Sequence, residues 1–233
     1  MSSPVIRVAT WNVHGLRAGA EAVARVVRDE AVEILLLQET GPRRRLRALG
    51  ATLGMVVCGD PPSFPRRRVQ NAVLVRPPRE VRSHRLVRFD GGSLVHPRGG
   101  LVARLEDVTA VSVHLGLEGA ERRLHVEQLL EILRRVDEPV VVGGDLNAHP
   151  EDAVSATIAA ILPDVWTRVG GSDGQDHGQD HGQDHGRTFP SSVPAARIDY
   201  LFTGPAFRPL RVWTSGGTVS DHLMVIADLQ VGV

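Results

Sequence analysis

The chain contains no lysine: all 27 basic residues are arginine, and 27 aspartates and glutamates balance them to a formal net charge of zero. A strong nonspecific grip on nucleic acid needs an excess of basic charge, so neutrality argues against one and leaves room only for a local basic groove. A GC-rich coding bias explains the missing lysine more simply than a surface tuned for bidentate phosphate contacts. Cysteine is almost absent too. Cys58 stands alone, which excludes an intrachain disulfide and cysteine-rich zinc sites and makes a reducing cytoplasm the expected location. Aromatic residues make up only 4% of the chain, with Tyr200 the single tyrosine, so stacking platforms for flipped or single-stranded bases are scarce. No apolar run approaches the ~20 residues that span a membrane. The N-terminus, MSSPVIRVATWNV, lacks the charged start and apolar core of a secretory signal. One domain covering residues 1–233 is the natural organisation, and a monomer is expected.

What the sequence does contain is arranged around Val140–Pro150, VVVGGDLNAHP. A short apolar run ends in two glycines and releases Asp145 and Asn147. A buried strand that stops at glycine and delivers an acid and an amide into a loop is one way to build a site at a strand's C-terminal end. In an extended segment the two side chains point the same way, so an acid able to take a proton from water would stand beside an amide able to hold that water or a phosphate oxygen. The plainer alternative is a turn closed by an Asx hydrogen bond.

Val5–Val13 and Ile34–Leu37 read as strands around a helix that carries Ala20, Val23 and Val27. If the two strands are parallel, Asn12 and Glu39 share one edge. Pro42–Arg47 holds four arginines and Arg66–Arg68 three; both read as solvated surface, with phosphate contact as the alternative. Gln70–Val75, Val81–Phe89, Gly99–Leu105 and Val108–Leu115 suggest an antiparallel run of strands that delivers His114. Glu118–Val136 is amphipathic, with Val126, Leu129, Leu130, Leu133 and Val136 on one face. Pro150, Glu151 and Asp152 suit the first turn of another helix. Gly170–Gly186 holds three copies of Gln-Asp-His-Gly. With glycine at every fourth place and nothing apolar to bury, it reads as a mobile loop, with weak transition-metal binding as the alternative. Arg197–Thr203, Leu210–Trp213 and Met224–Val231 close the chain as strands, and Ser220, Asp221 and His222 stand just before the last.

The polar residues at strand ends are Asn12, Glu39, His114, Asp145, Asn147, Asp199, Asp221 and His222: four carboxylates, two amides and two imidazoles. Carboxylate and amide oxygens suit a hard divalent ion, magnesium or manganese. Such an ion, a base and an imidazole together are the chemistry of phosphoester hydrolysis. Taken singly, each residue could be a cap or a turn.

TWNVHG at 10–15, LQET at 37–40, SVHL at 112–115, GDLNAHP at 144–150, RIDYLF at 197–202 and SDHLMV at 220–225 resemble, in order, the motifs of the endonuclease/exonuclease/phosphatase superfamily. The resemblance spans nearly the whole chain, and GDxN, IDY and SDH together carry its specificity. It implies a four-layer α/β/β/α sandwich of two mixed sheets with flanking helices and a site at one mouth. It makes Glu39 the principal metal ligand, helped by Asn12 and Asp221. Asp145 would activate water, Asn147 would contact the phosphate, and His222, oriented by Asp199, would stabilise the transition state. His114 would be a second imidazole at the phosphate. Two departures argue against abasic-site repair. His14 stands where such enzymes place an acid, and His114 lies near the position of their tyrosine. The resemblance implies a magnesium-dependent phosphodiesterase of nuclease type, acting on nucleic acid or a small phosphoester. A phosphatase for a small phosphomonoester or phospholipid headgroup is the alternative, and a noncatalytic binding module is less favoured.

Overall fold

The computed structural model describes residues 4–60, 68–136, 139–170 and 186–232. In chain order the strands are β1 (Val5–Asn12), β2 (Ile34–Gln38), β3 (Val56–Gly59), β4 (Ala72–Val75), β5 (Val81–Arg88), β6 (Gly99–Leu105), β7 (Thr109–His114), β8 (Val140–Asp145), β9 (Asp199–Thr203), β10 (Phe207–Ser215) and β11 (Met224–Val231). The helices are α1 (Ala20–Asp29), α2 (Arg43–Leu53), α3 (Gly119–Leu133), α4 (Ala153–Ala159) and α5 (Val165–Gly170). The strands form a six-stranded sheet, β10-β11-β1-β2-β4-β3, and a five-stranded sheet, β5-β6-β7-β8-β9. Both are mixed: β1 runs parallel to β2, β7 parallel to β8, and the other pairings are antiparallel.

Three apolar layers hold this sandwich together. Ile6, Val8, Ile34, Leu36, Leu101, Ala103, Val141 and Leu201 meet between the sheets. Val23, Val27, Leu46 and Leu49 of α1 and α2 cover Trp11, Leu35, Leu37 and Leu74 outside the first sheet. Val126, Leu129, Val154 and Ile158 of α3 and α4 cover Val111, Val142, Tyr200 and Phe202 outside the second. Side chains alternate along a strand, so the inward set can be followed to its end. Ile6, Val8, Thr10 and Asn12 lie along β1; Ala110, Ser112 and His114 along β7; Val141, Gly143 and Asp145 along β8. Each inner face is apolar at depth and polar at one mouth.

Three features depart from the sequence reading. The Pro42–Arg47 segment lies at the surface, with Arg44 and Arg47 exposed, but it opens helix α2, which the sequence reading did not place there. Leu46, Leu49 and Leu53 make its buried stripe, and the arginines between them mask it. The Gln70–Val75 strand does not join an antiparallel run with the next three, because β4 lies between β2 and β3 in the other sheet. The chain crosses between sheets at Pro77 and Pro78, and only β5, β6 and β7 form the run. Helix α4 begins at Ala153, so Pro150, Glu151 and Asp152 lead into it instead of forming its first turn. Arg66, Arg67 and residues 171–185 of the glycine-rich stretch lie outside the described residues. No helix among the described residues is long and apolar enough to cross a membrane.

The two glycines before Asp145 are sterically required. A Cβ on Gly144 would lie 1.9 Å from the Val113 carbonyl oxygen, and one on Gly143 would lie 2.7 Å from Leu36 and 2.9 Å from Thr10 of the facing sheet. Gly144→Ala is expected to destabilise the fold by about 2–3 kcal/mol, read as a lower urea midpoint; an unchanged midpoint would contradict this packing.

Candidate active site

The mouth is assembled by strand register. Parallel pairing sets Asn12 opposite Gln38 in the first sheet and His114 opposite Asp145 in the second, and antiparallel pairing sets Asp145 opposite Asp199. The sheets meet where Asn12 Nδ2 donates to Asp145 Oδ2 at 3.0 Å. Asp145 Oδ1 accepts the Asn147 backbone N–H at 2.9 Å. That bond closes an Asx turn with Asn147 in the left-handed region at φ 49°. Asp145 and Asn147 are therefore not an extended pair facing one way. The Asn147 amide Nδ2 donates to the Leu115 carbonyl at 3.1 Å. Tyr200 holds the same loop, its hydroxyl donating to the Ala148 carbonyl at 2.9 Å.

His222 arrives from the loop before β11. Its carbonyl accepts from Trp11 Nε1 at 2.8 Å, its ring lies 4.8 Å from the Phe189 ring, and its Nδ1 is 2.8 Å from Asp199 Oδ2. Its Nε2 is 3.9 Å from Asp145 Oδ2. Burial pulls the imidazole down. The Asp199 carboxylate, by charge and hydrogen bond, together with Asp145 and Asp221, outweighs this and pushes it up to about 9. Asp145 moves upward as well, through burial first and the Asp199 charge second.

His114 has a different environment. It is buried, with Nε2 at 3.4 Å from Asp145 Oδ2 and Nδ1 at 3.0 Å from Arg98 Nη1. A guanidinium only donates, so in this contact Nδ1 accepts and Nε2 carries the proton toward Asp145. Burial, then the Arg98 charge, holds His114 well below the ordinary histidine value. The site thus has a neutral imidazole on one flank of Asp145 and a charged one on the other.

Glu39 and Asp221 sit at the rim, each about two-fifths exposed, with side-chain values of 39% and 40%. Glu39 is in the left-handed region at φ 50°, its carbonyl accepts from Gly15 N–H at 2.7 Å, and its carboxylate is 3.8 Å from Arg98. Asp221 faces His14 Nδ1 at 3.2 Å. Asn12 lies deeper, its Oδ1 accepting the His14 backbone N–H at 3.1 Å. Among the described residues, one group of three histidine or carboxylate side chains has ligand atoms all within 4.8 Å of one another, close enough to hold a metal: Asp145, Asp199 and His222. Glu39 and Asp221 stand outside it.

Arg98 was not anticipated from sequence, although a signal existed. A tight turn at Glu106–Asp107, closed by Leu105 N–H to Val108 carbonyl, pairs Gly99 with His114, which brings the preceding arginine to the histidine.

The two mixed sheets with their flanking helices form a sandwich of deoxyribonuclease-like architecture. The profile of the Endonuclease/Exonuclease/phosphatase family matches residues 9–222, and the chain belongs to that family. Its members hydrolyse phosphoesters and use divalent metals. The fold is similar to an endonuclease/exonuclease/phosphatase from Bacteroides vulgatus (18% identity, 98% of this chain and 99% of that one, TM-score 0.79). It is also similar to D. rerio TDP2 complexed with single-strand DNA product (18%, 97% and 99%, TM-score 0.74). A Bacteroides thetaiotaomicron mannosyl-6-phosphatase is similar too (14%, 96% and 99%, TM-score 0.73). No curated protein matches the sequence.

Glu39 and Asp221 offer hard carboxylate oxygens at the rim, a donor chemistry that fits a divalent ion. Replacing Asp199 by asparagine removes the charge that raises His222. In the metal-free protein, its pKa followed by NMR is expected to fall from about 9 by more than one unit; an unmoved value would contradict the assigned pairing. The sign follows for stability. The bond strengthens folding below the unfolded value of ~6.5 and is lost as pH rises toward about 9.

Proposed function

We propose that the protein is a divalent-metal-dependent phosphodiesterase of nuclease type, cleaving by in-line attack of an activated water. The expected ion is magnesium, with manganese an alternative, held by Glu39 with Asn12 and Asp221. When bound, the ion offsets phosphate charge as a Lewis acid. Asp145 takes the proton from the attacking water. Its raised affinity for protons suits a base working near neutral pH. His222 donates from Nε2 to the charge that develops on the phosphoryl oxygens, with Asp199 fixing its ring from the other side. His114, its Nε2–H aimed the same way, is a second donor, and Asn147 contacts the phosphate. The buried, unshared Cys58 is in keeping with a reducing cytoplasm.

One observation favours a diester: the centre is flanked by space on both sides. A cavity of about 370 Å³ adjoins His14, Pro190 and Asp221 on the β1–β11 side. Another, of about 290 Å³, adjoins Glu39, Gln70 and Arg98 on the β2–β4 side. A diester carries a substituent on each side of phosphorus; a monoester carries one.

The test is a panel of plasmid, single-stranded DNA, RNA, bis-p-nitrophenyl phosphate and p-nitrophenyl phosphate, assayed with magnesium or manganese. Diesters should be cleaved and EDTA should abolish cleavage. Asp145→Ala and His222→Ala should each lower turnover by at least ~100-fold. A preference for p-nitrophenyl phosphate would instead mark a phosphatase for small phosphomonoesters or phospholipid headgroups, and full activity in either variant would remove the assigned roles.

A further inference from the structure

The cavity on the Glu39 side is walled by Glu39, Arg68, Gln70, His96 and Arg98. Its charges are unevenly matched. Arg68 forks onto Asp60, with Nε at 3.0 and 3.1 Å and Nη2 at 2.6 Å, and donates Nη1 to the Gly41 carbonyl. Its charge is spent inside the protein. Arg98 is not matched in this way. Nη1 meets His114, and Glu39 stays at 3.8 Å, beyond hydrogen-bond reach. The rest of its guanidinium finds no acceptor among the described residues, although the side chain is only 13% exposed. A half-buried guanidinium with donors left over beside a cavity can take an anion there.

Its neighbours supply further donors. Gln70 Oε1 accepts the Gly41 N–H at 2.9 Å, and its NH2 group has no partner among the described residues. Gln70 and Glu39 both hold left-handed backbones, at φ 65° and 50°. The Thr40 N–H to Gln70 carbonyl bond, 3.0 Å, ties the two segments together. Strain of this kind persists where surrounding structure imposes it, and it gathers at working sites. The acidic side chain on this wall, Glu39, is the one assigned to the metal.

We propose that this cavity is a second phosphate subsite, centred on Arg98 and Gln70, which receives the phosphate next to the scissile one along an oligonucleotide. Its substrate class rests on the phosphodiesterase function proposed above. A planar guanidinium fork suits a phosphate, and Arg98 joins this subsite directly to His114. A nucleotide strand would then be held at two consecutive phosphates.

Calorimetric titration tests this without turnover. In magnesium, thymidine 3′,5′-bisphosphate should bind the native chain at least ~10-fold more tightly than thymidine 5′-monophosphate. Arg98→Met should abolish the preference, and Gln70→Ala, away from the histidines, should reduce it; thermal unfolding checks that both variants fold. Equal affinity of the two ligands for the native chain, or a preference intact in both variants, would overturn the subsite. Equal affinity with diester cleavage intact removes the subsite and keeps the enzyme assignment. A bisphosphate preference without diester cleavage does the reverse.

Discussion

The hydrogen bond from Asn12 to Asp145 crosses between the two sheets, and the geometry of the mouth depends on it. It is the outermost of a series of buried polar contacts across the interface. Gln38 Nε2 donates to Ser112 Oγ at 3.0 Å, Ser112 Oγ donates to the Leu37 carbonyl at 2.8 Å, and Asn71 Nδ2 donates to the Gly99 and Ser112 carbonyls at 3.1 and 2.9 Å. Apolar packing would hold the sheets together in several registers. Buried polar groups tolerate only the register that satisfies them. Gly143 completes the arrangement by letting Thr10 and Leu36 of the first sheet approach β8 closely.

The fixed register concentrates acids at a buried end, where their charges must be managed. Asp145 accepts from Asn12 and Asn147, and Asp199 is matched through one oxygen by His222. The other oxygen, Asp199 Oδ1, is buried without a partner among the described residues. The buried group of Asp145, Asp199 and His222 is compact enough to hold a metal. Its other carboxylate oxygens are engaged, Asp145 with Asn12 and the Asn147 backbone and Asp199 Oδ2 with His222, an arrangement suited to handling protons. The rim carboxylates Glu39 and Asp221 are half-exposed and open to water, which suits an ion that keeps several waters. On this account protons and metal occupy neighbouring zones: acid–base groups inside, cation at the lip.

Much of this could be read from the chain because period-two alternation carries information about both the core and its end. The runs that pack Val8, Leu36 and Val141 are the same runs that deliver Asn12, Gln38 and Asp145. The strand–helix–strand spacing allowed a parallel pairing of β1 and β2, and the structure has it. The parts that could not be read depend on partners distant in sequence or on turns. Helix α2 was hidden because arginine surrounds its leucine stripe. The sheet to which β4 belongs is decided by β2 and β3, which no local pattern specifies. Asn147 takes a left-handed backbone because Asp145 captures its N–H, one of the two conformations the loop allowed. Arg98 reaches His114 only through hairpin register.

The central claim is that Asp145 and His222 handle protons while the cation sits at the Glu39 rim. Anomalous scattering from crystals soaked in manganese tests it most directly. A peak bonded to Glu39, with Asn12 or Asp221 beside it and the His222–Asp199 contact of 2.8 Å preserved, is the predicted result. A peak held between Asp145, Asp199 and His222, with that contact broken, would contradict the account.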